Sequence, residues 1–165
     1  MPEIIEADPD IVNVAGVAGG RNDMYFSAEE VQSAAESFLR DIHAALPEAE
    51  IVTIGGWTWD TPTDQRWVET QAEISGILEA ATDEVGGIYI DPVTDLAPID
   101  DSNASLMISD DDFHPTPEGH AYLGRDLAYE MVERGLPRGP EKWRPAGIPT
   151  SHHVDSTDAY FAGQR

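Results

Sequence analysis

Hydrophobic and polar positions along the chain follow two alternating periods. Short apolar runs at residues 11–15, 51–54 and 88–90 are bounded by glycine pairs or by an Asp-Pro step, the pattern of buried strands. Between them the apolar spacing becomes helical. Val31, Ala34, Ala35, Phe38, Leu39, Ile42 and Leu46 form one stripe, preceded by a capping box from Ser27 to Glu30 and followed by Pro47. A second stripe takes Val68, Ala72, Ile74, Ile77, Leu78 and Ala81, with Asp64 as its cap and Gly86-Gly87 beyond its end. A third starts at Thr116, an N-cap residue with Pro117 at the first helical position, and runs through Leu123, Leu127 and Met131 to Gly135. Residues 57–63 and the acidic stretch 93–113 have loop composition.

This order of strand, helix, strand, helix, strand, loop and helix predicts βα units and a largely parallel sheet. A parallel sheet needs helices on both faces and protected edges, yet the chain starts almost at a strand. It reads as an α/β domain entered partway, without its first βα segments. Leu136 to Pro149 holds four prolines and two glycines, and no periodicity follows. The expected organisation is a domain over 1–135 and a Pro/Gly-rich arm over 136–165.

Composition narrows the class. At 165 residues and 41% hydrophobic, the chain is long enough for one domain with a core. No apolar stretch approaches a membrane span, and the acidic start MPEIIEADPD is unlike a signal peptide, so a soluble protein is expected. Cysteine is absent, which removes disulfides and thiolate metal sites. Asp and Glu number 32 against nine Lys and Arg, a net charge of −23. Such a surface repels phosphate backbones and anionic lipid heads, which argues against nucleic-acid binding. It suits either a self-repelling, solvated surface or adaptation to high salt, where counterions screen the repulsion.

Two segments carry candidate chemistry. Gly20-Arg21-Asn22-Asp23 sits where a strand runs into a glycine-rich loop, and ligand sites of open α/β sheets lie at such strand ends. Asn22 could point an amide donor into a site there. Asp111 precedes His114 by three residues just before the last helix, a spacing that lets a carboxylate bond an imidazole and fix its tautomer. Asp112 is the competing carboxylate, and the spacing favours Asp111. Each segment alone also fits a turn or a helix cap. Trp57 and Trp59 either line a cleft or hold their loop on the core. His152, His153 and Asp155 could meet a metal but read as incidental tail residues, and the acidic runs match no calcium loop. No metal or cofactor is expected.

In combination these phrases resemble the SGNH (GDSL-like) serine hydrolases. The later sequence blocks of that family, Gly-x-Asn-Asp and Asp-x-x-His, match residues 20–23 and 111–114, and Tyr89-Ile90-Asp91-Pro92 and His114-Pro115-Thr116 with Gly119-His120 fit as well. The resemblance implies a flavodoxin-like three-layer α/β/α sandwich, here N-terminally incomplete. It implies ester hydrolysis through an acyl-serine, with Asn22 donating to the oxyanion, His114 as base and then acid, and Asp111 orienting it. Arg21, Asp23 and Trp57 would border the substrate cleft.

The family's Gly-Asp-Ser block and its oxyanion glycine have no counterpart here. Ser27 reads as a cap, Ser102 and Ser105 as loop residues, and Ser33, Ser75 and Ser109 lack the strand-to-helix context of a nucleophile. The serine would then come from an upstream segment or a partner chain, completing an esterase for a small-molecule, lipid or glycan ester. The alternative is a catalytically silent SGNH-like structural or binding module, for example in a virion or phage tail, with the arm docking on a neighbour.

Overall fold

The computed structural model describes residues 14–57, 65–111 and 114–136. They fall into two compact units, within residues 1–98 and 99–165. The start of the first predicted strand, Trp59, the proposed cap Asp64, Asp112 and the arm beyond Leu136 lie outside the described residues.

The first unit holds a parallel sheet of β1 (Val14–Ala18), β2 (Glu50–Ile54) and β3 (Ile88–Ile90) in the order β1-β2-β3. Helix α1 (Ala28–Ala45) connects β1 to β2, and α2 (Gln65–Glu84) connects β2 to β3. The two helices pack against each other and so lie on one face of the sheet. Register pairs Ala15 with Ile51, Val17 with Thr53 and Thr53 with Tyr89, which puts these side chains on one face. Leu39, Ile42, Leu46, Ile51 and Ala81 form the core there, with Ala15, Val17, Ala35, Phe38 and Val85 packed around them. Val52 and Ile90, which point to the opposite face, are fully buried as well. Burial on both faces is what makes such strands near-continuous apolar runs.

Helix ends follow the predicted chemistry. Ser27 Oγ accepts the Glu30 amide, and Glu30 accepts the Ser27 N–H at 2.9 Å, completing the capping box. These bonds from Ser27 hold the Glu30 carboxyl below its ordinary pKa. At the end of α2, Gly86 adopts φ +70°, and the Gly86 and Gly87 amides reach the Asp83 and Thr82 carbonyls at 3.0 Å.

Two expectations are corrected. The first strand runs on to Ala18, past the end at Ala15 that the apolar run suggested. Gly16, expected to begin the loop, lies inside β1 opposite Val52. Parallel pairing uses backbone groups, and no neighbour lies within 4 Å of where a Gly16 Cβ would stand. In α2 the buried stripe is rotated: Gln71, Ile74, Ala81 and Thr82 are buried, whereas Val68 and Ala72 are exposed.

At the end of β3, Ser75 Oγ lies 2.7 Å from Tyr89 Oη and donates to Asp91 Oδ2 at 3.1 Å. Burial pushes the Tyr89 hydroxyl up to about 12.

The second unit begins with a turn in which Ser102 donates through Oγ and N–H to Asp100 Oδ1. Within the stretch expected to be irregular, a short helix α3 (Ala104–Met107) forms. An antiparallel bridge joins Ile108 to Pro115 and folds the segment back on itself. Helix α4 (Pro117–Glu133) follows, and Thr116 Oγ1 accepts the Gly119 amide at 3.0 Å. It ends as predicted at Gly135, with φ +81° and the Leu136 amide bonded to the Met131 carbonyl. Among the described residues no helix is long and apolar enough to cross a membrane.

Candidate active site

The glycine-rich segment after β1 becomes a single 3₁₀ turn, Arg21–Tyr25. Gly20 opens it at φ +103°, a left-handed conformation that an L side chain resists. A Cβ on Gly20 would also stand 2.8 Å from Leu78 Cδ1, so only glycine lets this turn settle on α2. The Gly19 amide donates to the Ile54 carbonyl at 3.1 Å, tying the turn to the carboxyl end of β2. Asn22 is exposed on this turn, and Asp23 beside it is half-buried.

Arg21 Nη1 donates to the Trp57 carbonyl at 3.0 Å, so two of the predicted cleft residues are joined through the Trp57 backbone. Burial holds the Arg21 guanidinium below its ordinary pKa. Gly56 is the contact point of the two strand ends. A Cβ there would meet Arg21 N at 2.9 Å and Gln71 Nε2 at 2.5 Å. Gln71 is 6% exposed, and neither of its amide atoms has a hydrogen-bond partner among the described residues. Sequence reading passed over it, although it stands three residues before Ile74 and seven before Leu78 on the buried stripe.

The second predicted segment lies in the other unit. His114 Nδ1 stands 2.6 Å from Asp111 Oδ2. A carboxylate only accepts, so Nδ1 carries the proton and Nε2 is the basic nitrogen. The other oxygen, Asp111 Oδ1, accepts the His114 backbone amide at 2.9 Å and the Ser109 hydroxyl at 2.7 Å. Ser109 N also donates to the His114 carbonyl at 2.8 Å, next to the bridge between Ile108 and Pro115.

The His114 side chain is 69% exposed, within reach of a proton donor or acceptor arriving from solvent. Thr116 braces the segment from below, donating through Oγ1 to the Leu106 carbonyl at 2.8 Å while capping α4. The predicted Asp and His thus form a hydrogen-bonded dyad, and Ser109 is the partner that motif reading did not foresee. Among the described residues, no cluster of three or more metal-ligating side chains occurs.

A family model for GDSL-like lipases and acylhydrolases matches residues 1–122. The chain belongs to the GDSL-like lipase/acylhydrolase family. No curated protein matches the sequence. One crystal structure matches with a TM-score of 0.59 at 20% identity, over 77% of this chain and 67% of that one. The solved structure of a salicylyl-acyltransferase from a tetracycline biosynthetic pathway matches with a TM-score of 0.55 at 18% identity. That alignment covers 82% of this GDSL-like chain but only 40% of the acyltransferase. Together with the parallel sheet and its crossover helices, these likenesses make the fold flavodoxin-like α/β. The Asp-x-x-His segment lies inside the matched span of the family model.

Proposed function

We propose that this chain supplies the acid–base and oxyanion parts of a serine ester hydrolase, with the nucleophilic serine contributed by an upstream segment or a partner chain. The observation that carries the reading is the 2.6 Å bond from His114 Nδ1 to a carboxylate whose second oxygen is held by two donors. An imidazole fixed in this tautomer presents Nε2 as a base.

In the proposed reaction, a serine Oγ attacks the acyl carbon of an ester while its proton passes to His114 Nε2. Asp111 stabilises the imidazolium through Nδ1–H. Asn22 donates its side-chain amide to the oxyanion, and collapse of the tetrahedral intermediate breaks the bond to the leaving alcohol, which takes the proton from Nε2. Water then repeats the sequence on the acyl-serine and releases the carboxylic acid. Arg21, Asp23 and Trp57 border the Asn22 turn and would contact the small-molecule, lipid or glycan part of the substrate.

Four of the described serines are already held in other bonds. Ser27 is committed to its capping box, Ser75 to Tyr89 and Asp91, and Ser102 to Asp100. Ser109 bonds Asp111, on the Nδ1 side of the dyad.

The test is hydrolysis of p-nitrophenyl esters by the native assembly, compared with the assembly carrying His114→Ala. Turnover that collapses in the variant supports the proposal. Turnover that persists would sink it.

A further inference from the structure

From the geometry around Asp111 we infer that Ser109 is a positioning residue for the dyad: its hydroxyl sets the plane of the Asp111 carboxylate and thereby the tautomer of His114. This rests on reading Asp111 and His114 as an acid–base pair. Ser109 Oγ has one proton and two acceptors near it, Asp111 Oδ1 at 2.7 Å and the His114 carbonyl at 2.8 Å. The charged acceptor is the stronger one. The His114 carbonyl is in any case already served by the Ser109 N–H at 2.8 Å. The proton therefore belongs to Asp111 Oδ1.

That oxygen then carries two donors, Ser109 Oγ and the His114 amide. They approach from the two residues that flank the turn, so the carboxylate is prevented from rotating about its Cβ–Cγ bond. Its remaining oxygen, Oδ2, is left aimed at Nδ1. The bridge between Ile108 and Pro115 brings Ser109 into place, which is why a serine two residues before an aspartate acts on a histidine three residues after it. The dyad is exposed, with side chains 69% and 51% accessible.

The experiment is ¹⁵N NMR of the His114 ring in the full chain at about pH 9, well above the ordinary imidazole pKa of about 6.5. Wild type should show Nδ1 as the protonated nitrogen. Ser109→Ala and Ser109→Val, which lack the hydroxyl, should move both ring shifts toward the tautomer mixture of a histidine in water. Ser109→Thr, which keeps it, should retain the wild-type shifts. Ser109→Ala preserves the backbone N–H that bonds the His114 carbonyl, so an unchanged amide spectrum around Ile108 and Pro115 separates loss of positioning from loss of the turn. Should the Ala variant not fold, the Val and Thr pair decides. Identical ring shifts in Val and Thr variants, or wild-type shifts in all of them, would overturn the inference. The readout needs no nucleophile, so failure to find ester hydrolysis would count against the acyl-transfer reading alone.

Discussion

At the scale of single residues, the account turns on Asp111, His114 and Asn22. Replacing Asp111 with Asn should lower kcat of the completed assembly by about 10⁴, the cost of the wrong imidazole tautomer in a comparable triad. Replacing Asn22 with Ala removes one oxyanion donor and should cost about 10²–10³ in kcat. Steady-state hydrolysis of a p-nitrophenyl ester reads both, and a smaller effect from Asp111→Asn than from Asn22→Ala would invert the proposed roles. Asp111 and His114 were legible because a three-residue gap on one turn is a local relation. Ser109 was not, because its role depends on a backbone bridge between Ile108 and Pro115 that no spacing announces. Gln71 escaped for a similar reason. A polar residue on a buried stripe reads as solvent-facing until the helix is set against Gly56 and the Arg21 turn.

At the scale of elements, close backbone approaches make specific demands. A Cβ at Gly119 would run into the Met107 carbonyl, so Gly119→Ala should push α4 away from α3. An overpacking cost of roughly 1–3 kcal/mol is expected, read as a lower urea midpoint. Thr116→Ala removes both the α4 cap and the bond to Leu106, and should cost about 1–2 kcal/mol by the same measurement. Tyr89 makes a pH prediction. Its folded pKa of about 12 lies above the ordinary value near 10, so the folded state keeps a proton that the unfolded state gives up. That contribution is complete below about pH 10 and is lost as pH rises toward about 12. Tyr89→Phe should flatten this part of the alkaline stability profile, and an unchanged slope would contradict it.

The helices were legible because their caps are chemical, and Ser27, Thr116, Gly86 and Gly135 all act at the ends they mark. The first strand was expected to end at Ala15 because Gly16 looked like a stop, and it runs on to Ala18. Gly16 weakens the strand locally but does not end it, because its backbone still pairs opposite Val52.

For the molecule as a whole, βα order translated directly into a parallel sheet, and the family match spans both predicted segments, residues 20–23 and 111–114. The net charge of −23 adds a condition-dependent term. Raising salt from 0.1 M to 1 M shortens the screening length from about 10 Å to about 3 Å. The thermal midpoint should therefore rise between low and molar KCl, and a flat profile would remove salt adaptation from the account.

The central claim is that His114 activates a serine supplied from outside this chain. The most direct measurement treats the native assembly with a serine-reactive fluorophosphonate and identifies the labelled peptide by mass spectrometry, for wild type and for His114→Ala. The account predicts label on a serine within a Gly-Asp-Ser peptide of the upstream or partner segment, with labelling strongly slowed in the variant. Absence of label on the folded wild-type assembly, or labelling at the same rate in both forms, would contradict it.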